Sequence, residues 1–120
     1  MKYLLMIYGN DKIFSSIPPD QFQEIVRDTN ALQAELRETG EWLSAYGVAD
    51  QVMAKTVTVR NGTPVVTDGP YLEAKEYLGS FDIIDVESLD RALEIAARVP
   101  WARVGEVEVR PLMAEAGDDM

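Results

Sequence analysis

The sequence predicts an α+β domain in the split βαβ order: a ferredoxin-like βαββαβ fold with an extra central β-hairpin. Three observations carry this. Two stretches with helical periodicity stand apart, each preceded and followed by strand-like runs. An Asn-Gly pair sits between two Val/Thr-rich runs in the middle of the chain. The opening run is apolar on both of its alternating faces, so it must be covered on both sides. Two helices cover one face of an antiparallel sheet and leave the other to solvent, a ligand or another subunit.

In order, Lys2 to Tyr8 places Tyr3, Leu5 and Ile7 on one face and Leu4, Met6 and Tyr8 on the other. The run is too short to cross a membrane and lacks a small-residue cleavage site, so it reads as a buried strand. Gly9-Asn10-Asp11 breaks it, and Pro18-Pro19 opens a helix from Asp20 to about Thr39. Phe22, Ile25, Val26, Thr29, Leu32, Gln33 and Leu36 recur there at three- and four-residue spacing, and Gly40 ends the helix. Glu41 to Val48 and Gln51 to Arg60 read as strands, and Thr63 to Thr67 returns antiparallel after Asn61-Gly62. Leu78 to Val86 is a second strongly apolar strand.

Ser88 caps the next helix, with Asp90 in its first turn. Leu89, Ala92, Leu93, Ile95, Ala96 and Val99 form its stripe, and Pro100 stops it. Gly105 to Leu112 is the last strand, alternating Val107 and Val109 with Glu106, Glu108 and Arg110. Residues 1–113 therefore read as one domain, and the acidic tail 114–120 has nothing to bury and is expected to be disordered.

Composition narrows function. Apolar residues make up 47% and charged residues 27% of the 120 positions, a globular balance. The absence of cysteine rules out disulfides and thiolate chemistry and suits a reducing cytoplasm. The absence of histidine removes the usual neutral-pH proton shuttle and the commonest metal ligand. Acid–base work then falls to carboxylates, lysine or tyrosine with shifted pKa values. Twenty-one acids against 11 bases give a net charge of −10, which disfavours direct nucleic-acid binding and an anionic membrane surface. No dinucleotide or phosphate loop is present, and no spacing supports a metal, so no cofactor is expected.

The doubly apolar first strand makes solvent the poorest cover for the open sheet face. A homodimer, sheet against sheet, covers that face and encloses a cavity. Glu106, Glu108 and Arg110 would line that cavity or form its wet rim.

The segment Val66 to Gly79, VTDGPYLEAKEYLG, is the candidate site. Pro70 has no N–H, so Asp68 cannot close an ordinary Asx-turn. Its carboxylate must reach a later amide, a cation or water. Gly69 and Pro70 then hold a fixed corner. Tyr71, Glu73, Lys75 and Glu76 follow: one hydroxyl, two acids and a cation. Facing a cavity, such a group shifts its own pKa values and becomes an acid–base pair; facing water, it is a solvated loop with a weak ion pair.

This segment, with MKYLLMIYG at the start and VEVRPL near the end, resembles the DGPF subfamily of YCII-related proteins. The family motif falls on Asp68, Gly69, Pro70, Tyr71, Glu73, Lys75, Glu76 and Gly79, with Tyr71 in place of phenylalanine. The resemblance implies a dimeric α+β barrel in a superfamily that includes enzymes acting on small ring compounds. The His-Asp pair of YCII proper cannot be carried over to a chain without histidine. DGPF proteins are often encoded in bacteria beside extracytoplasmic-function sigma factors, which implies regulation as readily as catalysis.

Two readings follow. In the first, the protein binds a small organic molecule; if it is an enzyme, it carries out cofactor-free isomerase- or lyase-like proton transfer on a cyclic or carbonyl-bearing substrate. Asp68 or Glu73 is then the base, and Lys75 or Arg110 steadies developing negative charge. Gly69, Pro70, Tyr71 and Glu76 contact the ligand. In the second, it is a non-catalytic regulatory protein whose acidic surface meets a basic protein partner.

Overall fold

A computed structural model of the chain describes residues 1–72 and 74–113. Strands β1 (Lys2–Gly9), β2 (Trp42–Gly47), β5 (Tyr77–Asp85) and β6 (Glu106–Pro111) form one antiparallel sheet in the order β2-β5-β1-β6. This is the ferredoxin-like arrangement that the element order predicts. Strands β3 (Lys55–Arg60) and β4 (Thr63–Asp68) pair only with each other, so the central hairpin is a sheet of its own. Its turn works as anticipated: Asn61 at φ 51° and Gly62 at φ 77° both occupy the left-handed region.

Helices α2 (Pro19–Thr39) and α3 (Leu89–Arg98) lie on the sheet face that carries Tyr3, Leu5 and Ile84. Leu32 and Leu36 of α2 and Ala92, Ile95 and Ala96 of α3 close over those residues in one cluster. Ile84, Ala92 and Ile95 have no exposed surface, so each full-sized aliphatic among them contributes roughly 1.5–3 kcal/mol by burial. The caps are those the sequence names. Gly40 ends α2 at φ 80°, and the Ser88 hydroxyl accepts the Arg91 amide at 3.1 Å.

The structure departs from the sequence reading in a few places. Asn10 does more than break the chain: its side chain accepts the Ile13 amide at 2.8 Å and caps a short helix α1 (Asp11–Ser16). Six residues are too few to display a helical stripe. Gln51–Met53 is a 3₁₀ turn, since the Asp50 carboxylate takes the Val52 amide at 2.9 Å, and β3 starts only at Lys55. Beyond α3, Pro100–Arg103 forms another 3₁₀ turn. Leu89 and Leu93 of the predicted α3 stripe are about half exposed, because the smaller Ala92 and Ala96 take the sheet-facing positions. The expected disorder of 114–120 concerns residues outside those described.

Candidate functional site

Register places the side chains that matter. Asp82 stands opposite Leu5 of β1 and Ala45 of β2, on the same face as Ser80 and Ile84. A carboxyl thus points from the middle of an inner strand toward the helices, where neighbours are mostly apolar. The layer between holds a cavity of about 240 Å³, lined among others by Leu5, Phe14, Leu32, Trp42, Asp82 and Trp101. Phe14 and Phe22, at 42% and 48% exposed, are its most open lining residues and mark its mouth. Burial pushes the Asp82 carboxyl up from 3.8 to about 6, with no neighbouring charge needed to account for it.

Local packing fixes the walls. The Trp101 indole donates to the Tyr8 carbonyl at 2.8 Å and stacks at a tilt on Phe14, with ring centroids 5.1 Å apart. It lies so close to the chain at Gly105 that a Cβ there would overlap the ring, which excludes any larger residue. On the opposite edge of the sheet Trp42 lines the cavity, with the Arg37 guanidinium 4.3 Å from its ring centroid. Glu41, beside it, receives two 2.8 Å bonds from Arg91, and this contact holds its carboxyl down at about 2. The Trp42 indole nitrogen is buried and has no hydrogen-bond partner.

The residues of the DGPY corner lie elsewhere. Asp68 ends β4 and pairs with Lys55 across the hairpin, and its side chain is 85% exposed. Of the three fates open to its carboxylate, the cation is the one realised. Gly69 bonds back through both backbone groups, its N–H to the Ala54 carbonyl and its carbonyl to the Thr56 hydroxyl, each at 2.8 Å. Pro70 and Lys75 are exposed, and the Tyr71 ring is 83% exposed, with its phenol in water. Glu76 is half-buried and, with Pro70, borders a larger depression of about 480 Å³ at the hairpin base. Glu73 lies outside the described residues.

Arg110 is remote from this corner. It faces Leu4 in the middle of β1, on the sheet face away from the helices, and pairs with Glu108 at 2.7 Å. Among the described residues, therefore, Asp68 and Lys75 form no ion pair with each other, and neither meets Arg110. The corner reaches the cavity indirectly. The Asn10 amide donates to the Lys75 carbonyl at 3.0 Å, and the Tyr77 hydroxyl donates to Asp11 at 2.5 Å. The second bond pushes the Tyr77 phenol up to about 12. Both bonds tether α1, the helix that carries Phe14 to the cavity mouth.

Asp82 and Trp42 are the residues that sequence reasoning passed over. The signal existed: an acid in SFDIID on the same alternation as Ile84 is out of place in so apolar a strand. Among the described residues no three acids gather in a way that could hold a metal ion. No helix among them is long and apolar enough to cross a membrane.

These features define a class: a small α+β protein of ferredoxin-like topology whose helix layer borders a mostly apolar cavity with, among the described residues, a single carboxyl. The chain belongs to the YCII-related domain family, whose pattern covers residues 1–116. It is 32% identical over 114 residues to an uncharacterized protein of Rhizobium meliloti (strain 1021), spanning 93% of this chain and 92% of that one. Its fold is similar to that of the 5-chloro-2-hydroxyhydroquinone dehydrochlorinase TftG of Burkholderia phenoliruptrix AC1100, solved in complex with 2,5-dihydroxybenzoquinone. The match has a TM-score of 0.51 at 16% identity and covers 94% of each chain.

Proposed function

We propose that the protein binds a small cyclic organic molecule in the cavity beneath its helices and moves a proton on it through Asp82, without a cofactor. The observation that carries this reading is a carboxyl held at about 6, the one acid lining a mostly apolar cavity among the described residues. At that value it exchanges between donor and acceptor near neutral pH, the role a histidine would fill in a chain that had one. The size agrees. Apolar cavities of roughly 150 Å³ take up benzene, so about 240 Å³ suits one substituted ring. A fold neighbour captured with a single oxygenated ring points the same way.

In this reading the chain works as a cytoplasmic homodimer. Leu4, Phe81 and Ile83 share the sheet face away from the helices, with Tyr46 beside them at 65% exposed, and a second copy is their fitting cover. Asp68, Gly69, Pro70, Tyr71, Glu76 and Lys75 then border a second copy or brace α1, and the chemistry passes to Asp82. Light scattering at twice 13.4 kDa supports the dimer; a stable 13.4 kDa species contradicts it.

Crystals soaked with hydroquinone test the site. Ring density beside Asp82 supports it; density confined to the hairpin base, or absent, overturns it. Turnover of any ring substrate should fall roughly 100-fold or more in Asp82→Asn, the usual weight of a positioned acid or base. Unchanged turnover removes Asp82 from the mechanism.

A further inference from the structure

Helix α1 is loosely anchored for an element that walls the cavity. None of its six residues is buried, although Ile13 and the following Ile17 touch the core. Ile17 is extended and precedes Pro18, which keeps it out of the helical region, so α1 does not run on into α2. Phe14 reaches from α1 into the cavity mouth. Its ring is 42% exposed and yet lines the cavity, so it stands between the cavity and water. It rests on Trp101, with ring centroids 5.1 Å apart, and over the bare backbone of Gly9 and Gly79. A Cβ at those two glycines would stand 3.5 and 3.9 Å from the tip of the Phe14 ring. These are the contacts of a plug on its seat.

What holds the plug down is polar. Register sets Tyr77, the first residue of β5, opposite Gly9, and Asp11 follows two positions later within reach of its phenol. The Tyr77 hydroxyl donates to Asp11 at 2.5 Å, and the Asn10 amide donates to the Lys75 carbonyl at 3.0 Å. A carboxylate acceptor makes the first bond the stronger. Lys75 and Tyr77 both belong to VTDGPYLEAKEYLG, whose Gly69 is itself bonded to Ala54 and Thr56. The segment that stays out of the cavity thus supplies a fixed post for the helix that closes it.

We infer that Tyr77 is a positioning residue that latches α1 over the cavity, and that a ligand enters and leaves when this latch opens and Phe14 swings out. The inference rests on the Asp82 cavity being the binding site and adds its route of entry. Entry and exit pass through the same open state, so a weaker latch raises both rates by one factor. With the latch closed in free and bound protein alike, its strength cancels from the affinity. A residue that merely shaped the cavity would change affinity instead.

Benzene is a fitting probe, since apolar cavities smaller than about 240 Å³ admit it. Tyr77→Phe keeps the ring and removes the donor. A six-residue helix cannot persist once it leaves the body of the protein, so opening exposes its amides to hydrogen exchange. The Ile13 and Phe14 amides, both bonded to Asn10, should exchange about fivefold faster in Tyr77→Phe, the weight of one hydrogen bond. The Ala92 amide of α3 should keep its rate. By NMR, benzene should enter and leave about fivefold faster with unchanged Kd. In a Phe14→Ala background, where the mouth already stands open, Tyr77→Phe should add little to either rate.

Equal α1 exchange in wild type and Tyr77→Phe overturns the inference, because the bond then does not hold the helix. Faster α1 exchange with unchanged benzene rates overturns it as well, because the helix then moves without being the door. A full fivefold gain in the Phe14→Ala background overturns the part given to Phe14. If benzene enters neither protein, the Asp82 cavity itself fails as a site and the inference falls with it.

Discussion

Replacing Asp82 with asparagine separates the cost of burying its charge from everything else. The folded protein holds this carboxyl at about 6 against an ordinary 3.8. Native protein therefore binds the extra proton between those values, and stability falls as pH rises through them. About two pH units at 1.36 kcal/mol each set a ceiling near 3 kcal/mol, and water at the cavity mouth reduces this to about 2 kcal/mol. Asparagine has nearly the same shape and no charge. At about pH 4, where Asp82 is neutral in the native state, Asp82→Asn should match wild type closely. By about pH 8 it should be the more stable by about 2 kcal/mol. Urea unfolding of both proteins across this range, read as a difference, cancels the other carboxylates because they are common to both. A difference that stays flat with pH would refute the claim that Asp82 is desolvated, and so would one that grows toward low pH.

Two further substitutions probe the walls. Glu41→Gln removes an anion whose pKa is depressed to about 2 by Arg91, so wild type should lose this contribution as pH falls from about 4.5 toward 2. At neutral pH the variant should be about 1–2 kcal/mol less stable by denaturant titration, and equal stability at both ends would show the Arg91 contact to be inert. Gly105→Ala places a methyl group against the Trp101 indole nitrogen, which must then leave the Tyr8 carbonyl. The cost should be about 2–3 kcal/mol with a shifted Trp101 fluorescence maximum, and an unchanged spectrum would show that the ring is not wedged there.

Much of this architecture could be read from the chain, because it rests on local signals that agree with one another. Tyr3, Leu5 and Ile7 alternate as a strand must, Gly40 and Ser88 sit where helix ends need them, and Asn61-Gly62 permits one kind of turn. The family too was legible in the run from Asp68 to Gly79, and the pattern over residues 1–116 agrees. The site was harder. A sequence shows Asp68, Glu73, Lys75 and Glu76 as a dense polar group, and density alone does not tell a pocket from a surface. Pairing with Lys55, thirteen positions upstream, is what leaves Asp68 facing water. Asp82 presents the opposite problem. A single acid inside an apolar strand looks like a blemish until register puts it beside Leu5 and Ala45 under the helices.

The central claim is that Asp82 is a desolvated carboxyl facing a ligand cavity. Carbon-13 NMR of its carboxyl, titrated with and without hydroquinone, tests this most directly. The account predicts a midpoint near 6 in the free protein that moves when the ring is added. A midpoint in the ordinary range near 3.8, indifferent to the ring, would contradict it.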